Sequence, residues 1–146
     1  MRPRTKAREV ALCSFYQAEI SKISFQKALE NFLKNYPQSS EVVDFASLLV
    51  EGVDKNLSYL DEIIKKYVEN WEIERLAIID KNILRMGIFE LLFLDDIPPK
   101  VSINEAIELA KKFGDVDSAR FVNGVLDRIY KEESKKYKKE NNEEKS

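Results

Sequence analysis

Between Asp80 and Leu94 the chain reads DKNILRMGIFELLFL, and no face of this segment is left polar. Ile83, Leu84, Met86, Ile88, Phe89, Leu91, Leu92, Phe93 and Leu94 follow one another too closely for a one-sided helix. A helix that is apolar all round must be enclosed by other elements. The rest of the chain therefore has to supply amphipathic partners that wrap a central rod.

It does so with helices. Glycine and proline number four each in 146 residues, and apolar residues recur at three- and four-residue steps almost throughout, which predicts an all-α domain without strands. A first helix is expected from Thr5 to Glu19 and a second from Phe25 to Tyr36, capped by Ser24 and stopped by Pro37. A third segment opens near Ser40 and carries Val42, Phe45, Ala46, Leu49 and Val53; Leu57, Leu60, Ile64, Tyr67 and Trp71 continue the period past a weak point at 52–56. Either one bent helix or two fits that pattern. Asp80 is the expected N-cap of the apolar helix, which ends near Leu94 before Pro98 and Pro99 force an extended turn.

Ser102 and Glu105 then form an S-x-x-E pattern, which predicts a capping box, with Ile103, Ala106, Ile107, Ala110 and Phe113 as the buried stripe. Gly114 sits where a left-handed helix cap is expected. Asp115 or Asp117 caps the last helix, whose Val122, Val125, Leu126 and Ile129 point inward. The result is one helical domain over 1–130. The remainder, 131–146, is charged and polar, and is expected to fray as a solvating tail.

Composition narrows the function. Histidine, the commonest general base, is absent, and Gly52, Gly87, Gly114 and Gly124 are too scattered to cradle a phosphate, so nothing points to an enzyme or a cofactor. The lone Cys13 allows no intrachain disulfide and no cysteine-based metal site; it reads as a packed, reduced thiol. No apolar run is long enough to span a bilayer, so a soluble cytoplasmic protein is expected. With a net charge of −2, any nucleic-acid site has to be local.

Two places overrule local preference. Arg2, Arg4, Lys6 and Arg8 alternate through the start of the first helix, where cations face the positive end of the helix dipole at a cost of about 0.3–1 kcal/mol each. They read equally as a solvated basic start or as a phosphate-tracking arm. The second place is Asn123–Gly124 inside a helical pattern, where glycine costs about 1 kcal/mol relative to alanine. Close packing on the central helix is the expected reason for Gly124. Asn123 can hydrogen-bond a base edge, a phosphate or a neighbouring carbonyl. Phe113 reads as core, and Phe121 stands at the edge of the stripe with Lys111, Lys112 and Arg120 nearby, a pairing of aromatic and cation suited to single-stranded RNA.

The wording of several segments adds a resemblance. RTKAREVALCSFYQ at the start, IDKNILRMGIFEL in the middle, and INEAIELAKKFG followed by SARFVNGVLD resemble the NusB family of bacterial transcription antitermination factors over nearly the whole chain. The resemblance implies a compact bundle of about seven helices in two sub-bundles. It implies binding of boxA RNA in nascent transcripts, ribosomal RNA leaders included, together with NusE, a small-subunit ribosomal protein; other Nus factors and RNA polymerase would be engaged indirectly. The RNA-facing positions it implies are Arg2, Arg4, Lys6, Arg8, Lys111, Lys112, Phe113, Asp117, Ser118, Phe121 and Asn123. The NusE-facing ones are Tyr16 and Asp80, with Glu74 and Glu90 in second place, and an acidic face around Glu69, Glu72, Glu74 and Asp80 suits a basic ribosomal partner. A similar module is found fused to RNA cytosine methyltransferases, and this chain reads as the free-standing form because it ends where a catalytic domain would begin. The competing expectation is a non-catalytic interaction scaffold, or a homodimer that hides the basic arm.

Overall fold

Seven α-helices follow in chain order among the described residues: α1 (Pro3–Ser21), α2 (Phe25–Asn35), α3 (Ser40–Lys55), α4 (Leu57–Tyr67), α5 (Ile78–Phe93), α6 (Pro99–Phe113) and α7 (Ser118–Lys145), with a 3₁₀ turn at Ile73–Arg75. This computed structural model describes residues 1–68 and 73–145, and side chains for 1–68, 73 and 75–133. Glu69, Trp71 and Glu72 and the side chain of Glu74 lie outside the described residues.

The apolar rod is α5, and it is enclosed as its composition demands. It touches α1, α3, α4, α6 and α7, and Ile83, Leu84 and Ile88 are fully buried. Around it α1 packs on α2 and α3 while α6 packs on α7, which gives two sub-bundles sharing one core. Phe15 of α1 meets Phe25 of α2 edge to face at 4.9 Å. The region 52–56 resolves into two helices, because Asn56 caps α3 and its side chain donates to the Gly52 carbonyl at 2.8 Å. Two glycines allow the close approach to α5 that such enclosure needs. A Cβ at Gly52 would run into the Phe89 ring, which stacks on Phe93, and a Cβ at Gly87 would come within 2.8 Å of Leu126.

Polar side chains lock the rod to its neighbours. Arg85, 6 % exposed, donates through Nε and Nη2 to Asp61 of α4, both at 2.8 Å, and through Nη1 to Glu19 of α1 at 3.0 Å. On the opposite flank Arg8 of α1, 2 % exposed, forks onto Glu90 of α5 at 2.9 and 2.7 Å. Ser102 of α6 donates to the same Glu90 at 2.9 Å, and Glu105 of α6 lies 3.6 Å from Arg8.

Several expected helix ends are corrected. Ser102 caps nothing: α6 starts at Pro99, and the Ser102 hydroxyl is spent on Glu90. Asp80 is not an N-cap either, since α5 begins at Ile78 with Ala77 before it, although Asp80 keeps its place in the first turn. Gly114 is extended (φ −90, ψ −170) rather than left-handed, and glycine is needed because a Cβ would meet Ser118 and the Ala110 carbonyl. The left-handed residue among those described is Lys22, at the end of α1. Ser24 does cap α2, accepting from the Lys27 N–H at 3.0 Å.

The last helix continues past Tyr130. Glu133 accepts from Tyr67 Oη at 2.8 Å and Lys66 Nζ at 2.9 Å, and burial together with the Glu133 and Glu132 carboxylates raises the Tyr67 pKa against the influence of Lys66. The stretch expected as a tail thus begins docked on α4; its side chains from 134 onward lie outside the described residues. No described helix is long and apolar enough to cross a membrane.

Two measurements check this architecture. Arg8→Met and Glu90→Met should each destabilise by roughly 3–5 kcal/mol in urea titrations, because each leaves a buried charge alone, while the double variant recovers much of the loss; additive losses would show the pair is not coupled. Gly52→Ala should lose about 1–3 kcal/mol despite the better helix propensity, through overpacking against Phe89. Unchanged or higher stability there would mean that α3 and α5 can separate freely.

Candidate nucleic-acid interface

The basic arm does not act as one surface. Successive residues on a helix turn by about 100°, so Arg4 and Arg8 share one flank of α1 while Lys6 lies on another. Both arginines stand over the Phe45 ring of α3, at 4.7 and 5.2 Å, and Arg4 also pairs with Asp96 at 3.6 Å. Asp96 thereby finds a cation after a helix C-terminus that disfavours it. Arg8 is buried behind this layer with its guanidinium consumed by Glu90. The expected places of Arg8 on an RNA face and of Glu90 on a partner face are therefore corrected: each is inside, satisfying the other.

Lys6 turns toward α6. Glu9, 8 % exposed, reaches Lys6 at 3.9 Å and Lys112 at 2.6 Å, so one carboxylate holds a cation from each end of the sequence. Thr5 adds a second tie, its hydroxyl donating to Glu105 at 2.7 Å. Arg2, Lys111 and Lys112 line the same shallow cleft between α1 and α6. Lys111 is exposed and pairs with Glu108 at 3.4 Å. The two cationic segments, some hundred residues apart in the chain, thus meet through Glu9. Sequence reading passed over Glu9; its three-residue step from Lys6 was visible, whereas its contact with Lys112 belongs to the fold.

From Lys112 the surface continues into the turn between α6 and α7. Its ammonium lies 5.5 Å from the Phe113 ring centre, and Phe113 is partly buried against the core as expected. In the turn, Ser118 accepts from the Asp115 N–H at 3.0 Å and donates to Asp115 Oδ1 at 3.2 Å, while the Asp117 N–H donates to that same oxygen. Ser118 is 1 % exposed and shapes the turn from within, which takes it off the expected RNA face. Asp117, Arg120 and Asn123 are exposed along α7, and Phe121 is half-buried.

Gly124 departs from expectation. A Cβ there would have no atom within 4 Å, and the residue is exposed. The close packing assigned to it belongs instead to Gly87, on the other side of the α5–α7 contact.

A different surface gathers Tyr16. With Leu12, Cys13, Phe32, Tyr36 and Ile79 it lines an apolar groove of about 730 Å³ between α1, α2 and the start of α5, closed at one end by Phe113. Tyr16 and Tyr36 are exposed. Burial pushes the Cys13 thiol up from its usual pKa, as does Glu9, so it is a packed thiol in the wall and not a thiolate. Asp80 stands next to Ile79; its Oδ1 is buried without a hydrogen-bond partner among the described residues, and burial raises its pKa against the influence of Ser118. Tyr16 and the Asp80 turn thus adjoin one groove, from which Glu90 is absent.

Known proteins share this architecture. The family model described as the NusB family matches residues 5–131. A protein named transcription antitermination protein NusB from Thermodesulfovibrio yellowstonii is 45 % identical over 140 residues, 89 % of this chain and 93 % of its own. The protein of that name from Bacillus licheniformis is 50 % identical over 126 residues, covering 86 % and 95 %. The solved structure of T. maritima NusB superposes with a TM-score of 0.83 at 39 % identity, over 90 % of this chain and 92 % of that one. A chain from a complex of antitermination factors NusB and NusE with double-stranded RNA gives 0.81 at 30 % identity, over 90 % and 98 %. With half-identical relatives spanning nearly all of its length and the same helical bundle around an apolar α5, this chain belongs to the NusB family.

Proposed function

We propose that this protein is a transcription antitermination factor that holds the boxA element of nascent RNA, ribosomal RNA leaders included, on the surface running from the α1–α6 cleft to the exposed face of α7. The observation that carries this reading is the Glu9 junction, which unites Lys6 with Lys112 and makes one continuous cationic strip out of two distant segments. Cations there neutralise phosphates, and Phe121 beside Arg120 supplies a stacking face, the combination by which single strands are bound without a deep pocket. The protein acts by binding, in the cytoplasm, and not by catalysis.

The apolar groove at Tyr16 is the surface for NusE. It offers exposed aromatic side chains to a ribosomal partner, with Asp80 following Ile79 of its lining in the chain. NusE bound there extends the RNA surface, so each partner strengthens the other through a shared ligand. A 30 % identical chain solved in a complex with NusE and double-stranded RNA supports the choice of these partners.

A titration of boxA RNA and a scrambled control, with and without NusE, tests the whole reading. Boxed-sequence preference that grows when NusE is present is the expected result; equal affinity for the two RNAs would refute it. If four or five phosphates are neutralised, log affinity should fall with log salt at a slope of roughly −3. Replacing Arg2, Lys6 and Lys111 together by alanine should flatten that slope by about two and leave thermal stability unchanged. An unaltered slope would remove the α1–α6 cleft from the site. Tyr16→Ala should weaken NusE capture by at least about tenfold, as an interface anchor does, while binding of RNA by the isolated protein is retained; full capture would place NusE elsewhere.

A further inference from the structure

Glycine within a helix costs about 1 kcal/mol relative to alanine, and the protein keeps one at position 124 where no neighbour requires it. A Cβ there would meet nothing within 4 Å, unlike at Gly52, Gly87 and Gly114, each of which has an identifiable obstacle. The residue is exposed, one turn beyond Arg120 and Phe121 on α7. Helical side chains lean toward the helix N-terminus and cover the turn before their own Cα. A side chain longer than alanine at 124 would thus reach toward Arg120 and Phe121, and glycine leaves that stretch of α7 bare.

We propose that Gly124 is a specificity-determining notch: it keeps the solvent side of the half-buried Phe121 open so that one nucleobase of a bound single-stranded RNA packs against its ring. This rests on the RNA reading given above and adds a position to it. Arg120, next to Phe121 and exposed, is placed to meet the phosphate of that base. Asp117, exposed in the turn just before α7, places negative charge at the N-terminal side of this stretch.

The test exploits opposite signs. Gly124→Ala and Gly124→Leu replace glycine by better helix formers in open space, so both should raise the melting temperature by a few degrees. Gly124→Leu should nevertheless weaken binding of boxA RNA measured by fluorescence anisotropy by roughly tenfold or more, the range of one lost base–aromatic stack, while Gly124→Ala, whose Cβ meets nothing within 4 Å, should lose far less. Phe121→Ala should give a loss of similar size, and Gly124→Leu combined with Phe121→Ala should be no worse than either alone. Leucine at 124 with wild-type affinity would overturn the notch while leaving the RNA reading intact, and so would additive losses in the double variant. A wild-type protein that does not distinguish boxA from scrambled RNA would overturn both.

Discussion

The buried pair of Arg8 and Glu90 is the constraint on which the arrangement of α1, α5 and α6 depends. Two charges removed from water are tolerated only when their geometry and remaining hydrogen bonds are satisfied. Here the fork of Arg8 on Glu90 is completed by Ser102 and flanked by Glu105, so residues from three helices must converge at once. A hydrophobic contact could slide by a side chain's width; this one cannot. Arg85 does the same on the other flank, tying α5 to α4 and α1 through Asp61 and Glu19. The apolar rod is thus enclosed by nonspecific burial and oriented by two arginines.

That orientation makes the cationic strip. Because Arg8 is drawn inward, α1 is turned so that Lys6 and Glu9 face α6, where Lys112 arrives. Arg4, one turn before Arg8, follows it onto Phe45 and Asp96. The alternating cations of the amino terminus are therefore sorted by helix geometry into a structural pair and a solvent-facing set. In this sense the folding of the core and the composition of the surface are one event.

The helices were legible in the chain, and so was the enclosure of α5, because periodicity and an all-round apolar segment are local properties that tertiary contacts rarely reverse. Ser24 was legible as a cap for the same reason: its partner, the Lys27 N–H, is three residues away. The errors have other causes. Ser102, Asp80 and Gly114 all carry local signals for helix ends, yet Ser102 answers to Glu90, Asp80 lies within the first turn of α5, and Gly114 answers to Ser118. Arg8 looked like a member of a basic arm because its acid is 82 residues distant. Gly124 was the reverse, a glycine given a packing reason that the fold supplies at Gly87. In the candidate site, residue types could be read, but which of them face solvent depended on partners far along the chain.

Glu9 has a consequence for how a ligand arrives. By sitting between Lys6 and Lys112 it cancels much of their field beyond the immediate surface, and Asp96 and Glu108 do the same for Arg4 and Lys111. In a chain whose net charge is −2, such a strip exerts little pull at distances beyond a Debye length, about 8 Å at physiological ionic strength. Encounter with a polyanion is then unsteered, and phosphates gain the lysines only by displacing carboxylates already in place. A ligand offering charge alone exchanges one set of ion pairs for another at small profit; retention falls to one that also brings bases to stack. On the proposed RNA reading, the muted field would act as a filter on capture, keeping the protein from idling on the bulk of cellular nucleic acid.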